Sequence, residues 1–132
     1  MGFDKEIWRM VRKGVVFKDM AVLTKVTEAT DGHTSITAAN LLKGYMSRTN
    51  CTVGGKTLTF PTATLIQAAF SAKTGAWFTW MISNTSTQTI TLTTAAGLTL
   101  KGTAAVPNAK TAFVTFINTA VGAIDVVIFL AA

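Results

Sequence analysis

The chain has 132 residues, enough for one domain with a buried core of its own. Hydrophobic residues make up 49% of the chain and charged residues only 14%, so the composition is too apolar for an ordinary small monomer. We therefore expect part of the surface to be buried against other chains. The net charge is +6, but after residue 31 the basic residues are scattered singly. This pattern favours general attraction to an acidic partner surface and argues against nucleic-acid binding.

Residues 1–30 are interpreted as an N-terminal arm, and residues 31–132 as one β-domain. Phe3, Trp8 and Phe17 are large apolar side chains outside the main β region, so they need a surface to pack on. They either cover one end of the domain or dock on a neighbouring subunit. The arm has no apolar stretch typical of a signal peptide. The most apolar segment, 120–132, is too short to span a bilayer, so no membrane insertion is expected.

The next segments predict two short helices and a hairpin. Thr37 can cap a first helix that places Leu41 and Leu42 inward, and Thr62 can cap a second helix over residues 63–72. In the second helix Leu65, Ile66, Ala69 and Phe70 are expected on one buried face. Between the helices, residues 45–53 and 56–60 read as strands joined by a tight turn at residues 54–55. This arrangement predicts a β-hairpin.

Residues 75–102 show the clearest strand periodicity in the chain. Phe78, Trp80 and Ile82 alternate with more polar positions, and Ile90 and Leu92 do the same after a turn at residues 84–88. A third strand follows Gly97. We interpret the unit as an antiparallel meander and the whole domain as an all-β, jelly-roll-like antiparallel sandwich with one or two short helices.

The last two predicted strands, 111–118 and 124–130, are joined by a predicted turn at residues 121–123 and are apolar on both faces. One face of the final strand carries Ile124, Val126, Ile128 and Leu130, yet its other face is apolar too. A strand of this kind lies centrally in a sandwich or at a subunit interface. The sequence therefore predicts an oligomer interface whose candidate residues are Phe113, Ile117, Val127 and Phe129.

Four short runs resemble small β-rich virion surface proteins of tailed phages and large viruses. They are ITAANLLKG at 36–44, TLTFPTA at 57–63, NTS with TITL at 84–86 and 89–92, and LTLKGT at 98–103. The similarity covers roughly residues 35–130 and leaves out the arm. It implies a structural role on the capsid surface, as a decoration or cement protein bound to the major capsid protein, and a tendency to form homotrimers. A fibre-like domain that binds a host receptor or glycan is the alternative.

Catalytic and metal-binding patterns find little support in the sequence. His33 is the single histidine and Cys51 the single cysteine, so the ligand clusters typical of zinc or iron sites cannot be built. We interpret His33 as a turn residue and Cys51 as a buried or half-buried thiol. A triad of His33 with Asp31 or Asp125 lacks a nucleophile-elbow sequence. The sequence therefore predicts a non-enzymatic protein without a cofactor.

Trp77 and Trp80 lie on opposite faces of one predicted strand, so one is expected in the core. An exposed Trp77 beside threonines is typical of sugar-binding surfaces, whereas burial of Trp77 in a subunit interface suits the apolar composition better.

Overall fold

The computed structural model describes residues 23–131, and within them the chain forms ten strands and two short helices. The early strands are β1 (Thr24–Glu28), β2 (Thr34–Ser35), β3 (Gly44–Arg48), β4 (Lys56–Thr59) and β5 (Trp77–Asn84). The later strands are β6 (Ile90–Thr93), β7 (Leu98–Gly102), β8 (Ala105–Val106), β9 (Lys110–Ala120) and β10 (Ala123–Leu130). The helices are α1 (Ala38–Leu41) and α2 (Ala63–Ala69). The strand-rich fold predicted from the sequence is confirmed at this level.

The strands form a six-stranded sheet in the order β1-β3-β5-β9-β10-β7 and a four-stranded sheet in the order β2-β4-β6-β8. From β1 to β9 consecutive strands alternate between the two sheets. Because each strand returns to its sheet in the same direction, β1, β3 and β5 pair in parallel, as do β2, β4 and β6. Antiparallel pairing joins β5 to β9, β9 to β10, and β6 to β8.

The prediction of antiparallel sheets is therefore wrong, since both sheets are mixed. The meander over residues 75–102 is also wrong: β5 lies in the six-stranded sheet and β6 in the four-stranded sheet. The hairpin predicted around residues 54–55 fails for the same reason, because β3 and β4 belong to different sheets. Alternation along a strand shows which side chains point inward, but it carries no information about the neighbouring strand.

One hydrophobic core unites the inward faces of both sheets. Trp80 and Phe116 come from the six-stranded sheet, and Leu58 and Leu92 from the four-stranded sheet, and all four are essentially inaccessible to solvent. Phe60 follows β4 and meets Trp80 and Phe116 edge to face, with ring centroids 5.5 and 5.2 Å apart. These contacts join the two sheets directly.

Both helices begin where the sequence places their caps. The Thr37 hydroxyl accepts the N–H of Asn40 at 3.2 Å, and the Thr62 hydroxyl accepts the N–H of Leu65 at 3.3 Å. Leu41 of α1 is fully buried, whereas Leu42 is only half-buried.

The buried face predicted for α2 is wrong in part. Ile66 is buried, but Leu65 is 57% exposed, and Ala69 and Phe70 are exposed as well. Ala63 and Gln67 occupy the remaining buried positions. The side chain of Gln67 donates to the carbonyl of Ala120 at 2.9 Å and accepts the N–H of Gly122 at 2.8 Å, so it fastens the turn between β9 and β10. The helix turns this polar side inward because the turn backbone needs partners there.

The N-terminal boundary of the sheet lies within the range assigned to the arm. Residues 24–28 form β1, which pairs with β3 at one edge of the six-stranded sheet. The arm residues Phe3, Trp8 and Phe17 lie outside the described part of the chain.

Candidate functional site: an apolar sheet face

The side of the six-stranded sheet that points away from the core carries an unusual number of large apolar side chains; we call it the outer face. Along β5 and β9 every second residue is buried in the core, so the alternate residues point outward. The apolar outer-face residues are Tyr45, Trp77, Met81, Phe113, Ile117, Val127 and Phe129. They come from four adjacent strands.

Strand register arranges four of these residues in one row. Tyr45 pairs with Met81, Met81 with Phe113, and Phe113 with Phe129, so the row crosses β3, β5, β9 and β10. Neighbours in such a row have Cβ atoms about 5 Å apart, which is close enough for side-chain contact. We call this set the apolar row. A second pair, Trp77 and Ile117, lies toward the other end of the same face.

The outer face is not covered by the described part of the chain. Phe129 is 63% exposed, Trp77 55% and Phe113 42%. Exposed apolar residues that occur singly are ordinary, but a contiguous patch marks an interaction surface. Phe113 and Phe129 meet that description, because they are direct neighbours across β9 and β10 and continue the row of the half-buried Met81 and Tyr45.

The polar side chains of the outer face are largely paired with each other. Thr79 and Thr115 join by their hydroxyls at 3.2 Å, and Ser83 and Thr111 at 3.0 Å. The carboxylate of Asp125 lies 2.9 Å from the ammonium of Lys101. When another surface covers this face and excludes water, these groups keep their hydrogen-bond or ion-pair partners. The free-energy cost of desolvating them is therefore lower.

The four residues predicted as an oligomer interface all lie on the outer face. Phe113, Ile117, Val127 and Phe129 belong to β9 and β10, which form an antiparallel hairpin at the predicted turn. Phe113 and Phe129 face each other directly across the two strands. Trp77, predicted as either interface or ligand-facing, lies on the same side.

The sequence reasoning missed Tyr45 and the full extent of the row. The alternation of residues in β5 places Met81 on the same strand face as Trp77, so this part of the outer face could be predicted from the sequence. Tyr45 could not be assigned, because it joins the row only through the parallel pairing of β3 with β5. A neighbour in a parallel sheet can be distant in sequence, and local patterning does not identify it.

The residues considered for catalysis are not assembled into one site. The Nδ1 atom of His33 lies 3.0 Å from the hydroxyl of Thr57 and 3.1 Å from its backbone nitrogen. Asp31 instead accepts hydrogen bonds from Thr52, and Asp125 pairs with Lys101. Cys51 is buried, as expected. Within residues 23–131 no three histidine, cysteine, aspartate or glutamate side chains group in a way that could hold a metal ion.

Over the same described residues, no helix is long and apolar enough to cross a membrane. Comparisons with protein-family models, with curated proteins and with solved structures each found no match.

Proposed function

We propose that this chain is a non-enzymatic virion structural protein, a decoration or cement subunit that binds the major capsid protein and stabilises the capsid shell as an oligomer. The exposed apolar outer face carries the oligomeric part of the proposal, because a surface of this kind needs a protein partner to exclude water from it. The virion setting and the preference for a homotrimer derive from the resemblance of residues 35–130 to small virion surface proteins.

We include in the proposal a two-layer β-sandwich for the arrangement of the two sheets. The support is that inward side chains of both sheets share one core, with Phe60 touching aromatic rings of the six-stranded sheet. Sandwiches of this type keep one face of each sheet outward, which leaves broad flat surfaces for assembly.

The charge of the chain supports an acidic partner surface for the shell contact. The net charge is +6, and charged residues of one sign attract an oppositely charged surface over the Debye length. The carboxylate of Asp125 is already paired with Lys101. We place the protein on the capsid surface, with the arm residues Phe3, Trp8 and Phe17 as further docking candidates.

Capsids that lack the protein provide the test. Purified chain should co-sediment with them and raise the temperature at which they open, and high salt should weaken binding because charge attraction is screened. A chain that stays in the supernatant at low salt and leaves the opening temperature unchanged would contradict the proposal.

The alternative is a fibre-like domain that binds a glycan or host receptor, and the exposure of Trp77 favours it. An indole that is 55% exposed on a sheet with neighbouring hydroxyls offers an apolar plate with hydrogen-bonding groups beside it. Glycan arrays probed with the wild-type chain and with Trp77→Ala separate the two functions. Binding that Trp77→Ala abolishes supports the alternative, and an array without signal supports the capsid role.

A further inference from the structure

We propose that a second copy of this chain covers the outer face, with the apolar row of one copy packed against that of the other. The inference rests on the proposed function in one respect, since it names the partner of the same surface. It assigns that surface to contacts between copies and leaves the contact with the shell to other parts of the chain.

Charge favours a second copy over an acidic protein as the occupant. Across β5, β9 and β10, the charged side chain that points outward is Asp125, and it is paired with Lys101 of β7 at 2.9 Å. The centre of the face is therefore close to neutral, while Lys25 of β1, in register with Tyr45, adds a basic group at one edge. Two chains that each carry a net charge of +6 repel one another, so a contact through a neutral face has the lowest electrostatic cost.

The hydrogen bonding of the face supports a dry contact between like surfaces. The hydroxyl pairs Thr79–Thr115 and Ser83–Thr111 satisfy one another within a single copy. A partner need not supply matching donors and acceptors, so two identical faces can pack without leaving these groups unpaired. Rotational symmetry then brings the same residues of each copy together around the axis.

The size of the face matches one side of a stable protein interface. Six strands about 4.8 Å apart span about 24 Å, and the eight residues of β5 extend about 27 Å. At its widest the face covers about 650 Å² when it is treated as flat. A standard interface buries about 600–1,000 Å² on each partner, so the face falls within the range of stable contacts.

The first test measures the mass of the full-length chain by light scattering at micromolar concentration. Wild type should behave as an oligomer, and Phe129→Lys should weaken association by about 30-fold or more, because it buries a charge in the apolar row. Leu65→Lys is the matched control. Leu65 is 57% exposed on α2, close to the 63% of Phe129, so the same charge there should leave association unchanged.

The second test locates the contact by cross-linking. Thr115→Cys places a thiol on the outer face of β9, between β5 and β10, whereas the native Cys51 is buried. A bis-maleimide that reaches about 10 Å, the spacing of packed sheets, should join two Thr115→Cys chains. Thr91→Cys on the other sheet is the control and should give no two-chain product. Circular dichroism checks that each variant is folded.

The outcomes separate this inference from the proposed function. A wild-type monomer, or an oligomer that survives Phe129→Lys and gives no Thr115→Cys product, overturns the inference. A dimer supports it and contradicts the homotrimer, whereas a trimer contradicts it, because like faces can pack against each other only across a two-fold axis. If Phe129→Lys becomes monomeric but wild type does not bind capsids, the self-contact stands and the proposed function fails.

Discussion

Asn84 shows how one buried side chain directs the route of the chain. Its amide nitrogen donates to the carbonyls of Gln88 and Val106 at 2.7 and 2.8 Å, and its Oδ1 accepts the N–H and hydroxyl of Ser86 at 3.0 and 2.6 Å. Because its polar atoms are satisfied, the residue can be buried at low cost. The loop after β5 therefore bends away from the six-stranded sheet.

Arg48 holds a second loop in a similar way. Its side chain is fully buried, and its guanidinium donates to the carbonyls of Thr30 and Gly32 and to the hydroxyl of Thr34. Two positions in the connection between β1 and β2, and the first residue of β2, thus converge on one side chain. A buried arginine is tolerated when such partners replace the water that it loses.

At the same end of the molecule, Asp31 should make stability depend on pH. Hydrogen bonds from the hydroxyl and the N–H of Thr52, at 2.6 and 3.2 Å, favour the carboxylate and lower the pKa of Asp31 below 3.8. A lowered pKa in the folded state stabilises the protein above the unfolded value, and the contribution is lost as pH falls through the folded pKa. Asp31→Asn should therefore be less stable than wild type at pH 7, with the difference shrinking below about pH 4.

Urea unfolding at a fixed protein concentration from neutral to acidic pH measures this difference. Thr52→Val is the companion variant: it removes the hydroxyl donor and keeps the N–H, so its loss of stability should have the same pH dependence and a smaller size. If the stability difference between wild type and Asp31→Asn stays constant as the wild-type carboxyl group protonates, the charge of Asp31 is not involved.

At the scale of elements, the alternation of strands between sheets determines the pairing. The connections from β1 through β6 cross repeatedly from one sheet to the other, so the chain winds as a flattened coil. Each turn stacks its strands in parallel on those of the turn before. The β9–β10 hairpin then completes the six-stranded sheet between β5 and β7.

The contact between β7 and β10 depends on a glycine at the end of β7. Gly102 has φ of +102°, and a Cβ at this position would collide with the backbone carbonyl oxygen of Ile128, its partner on β10. Gly102→Ala should lower the free energy of unfolding by about 3 kcal/mol, because both the backbone conformation and the close approach exclude a side chain.

Gly54→Ala separates the effect of the backbone conformation from the effect of the close approach. Gly54 also has a positive φ, +64°, but a Cβ there has no neighbour within 4 Å. Gly54→Ala should lower the free energy of unfolding by about 1 kcal/mol, because only the backbone conformation is unfavourable. Thermal and urea unfolding measure the stability of both variants. Equal losses of stability would contradict the role assigned to the β7–β10 contact.

For the whole molecule, Phe60 is the side chain that most directly packs the two sheets against each other. It is 1% exposed and packs edge to face on Trp80 and Phe116 of the opposite sheet. Phe60→Ala should lower the free energy of unfolding by about 3–5 kcal/mol, since it leaves a cavity and removes the aromatic contacts.

Leu65→Ala is the control, because Leu65 is 57% exposed and its loss should change stability by no more than about 0.5 kcal/mol. Differential scanning calorimetry compares the variants at one protein concentration. A small loss for Phe60→Ala would indicate that the two sheets are held together by other contacts.

Local sequence patterns were enough to predict the strand-rich class, both helix caps and the inward faces of the strands around Trp80, Ile90 and Val126. These features depend on neighbours a few residues away: alternation along a strand, a threonine before a helix, a turn around Gly122. The same local reasoning identified Phe113 and Phe129 as apolar residues on the second face of their strands, and the hairpin register then placed them opposite each other.

Which strands are neighbours could be read only from the three-dimensional fold. The free energy of pairing depends on contacts between segments far apart in the chain, and a strand of given pattern can pair in either sheet and in either direction. The sequence therefore predicted hairpins where the chain crosses between sheets. For the same reason it could not place Tyr45 beside Met81, so the apolar row emerged only once β3, β5, β9 and β10 were aligned in one sheet.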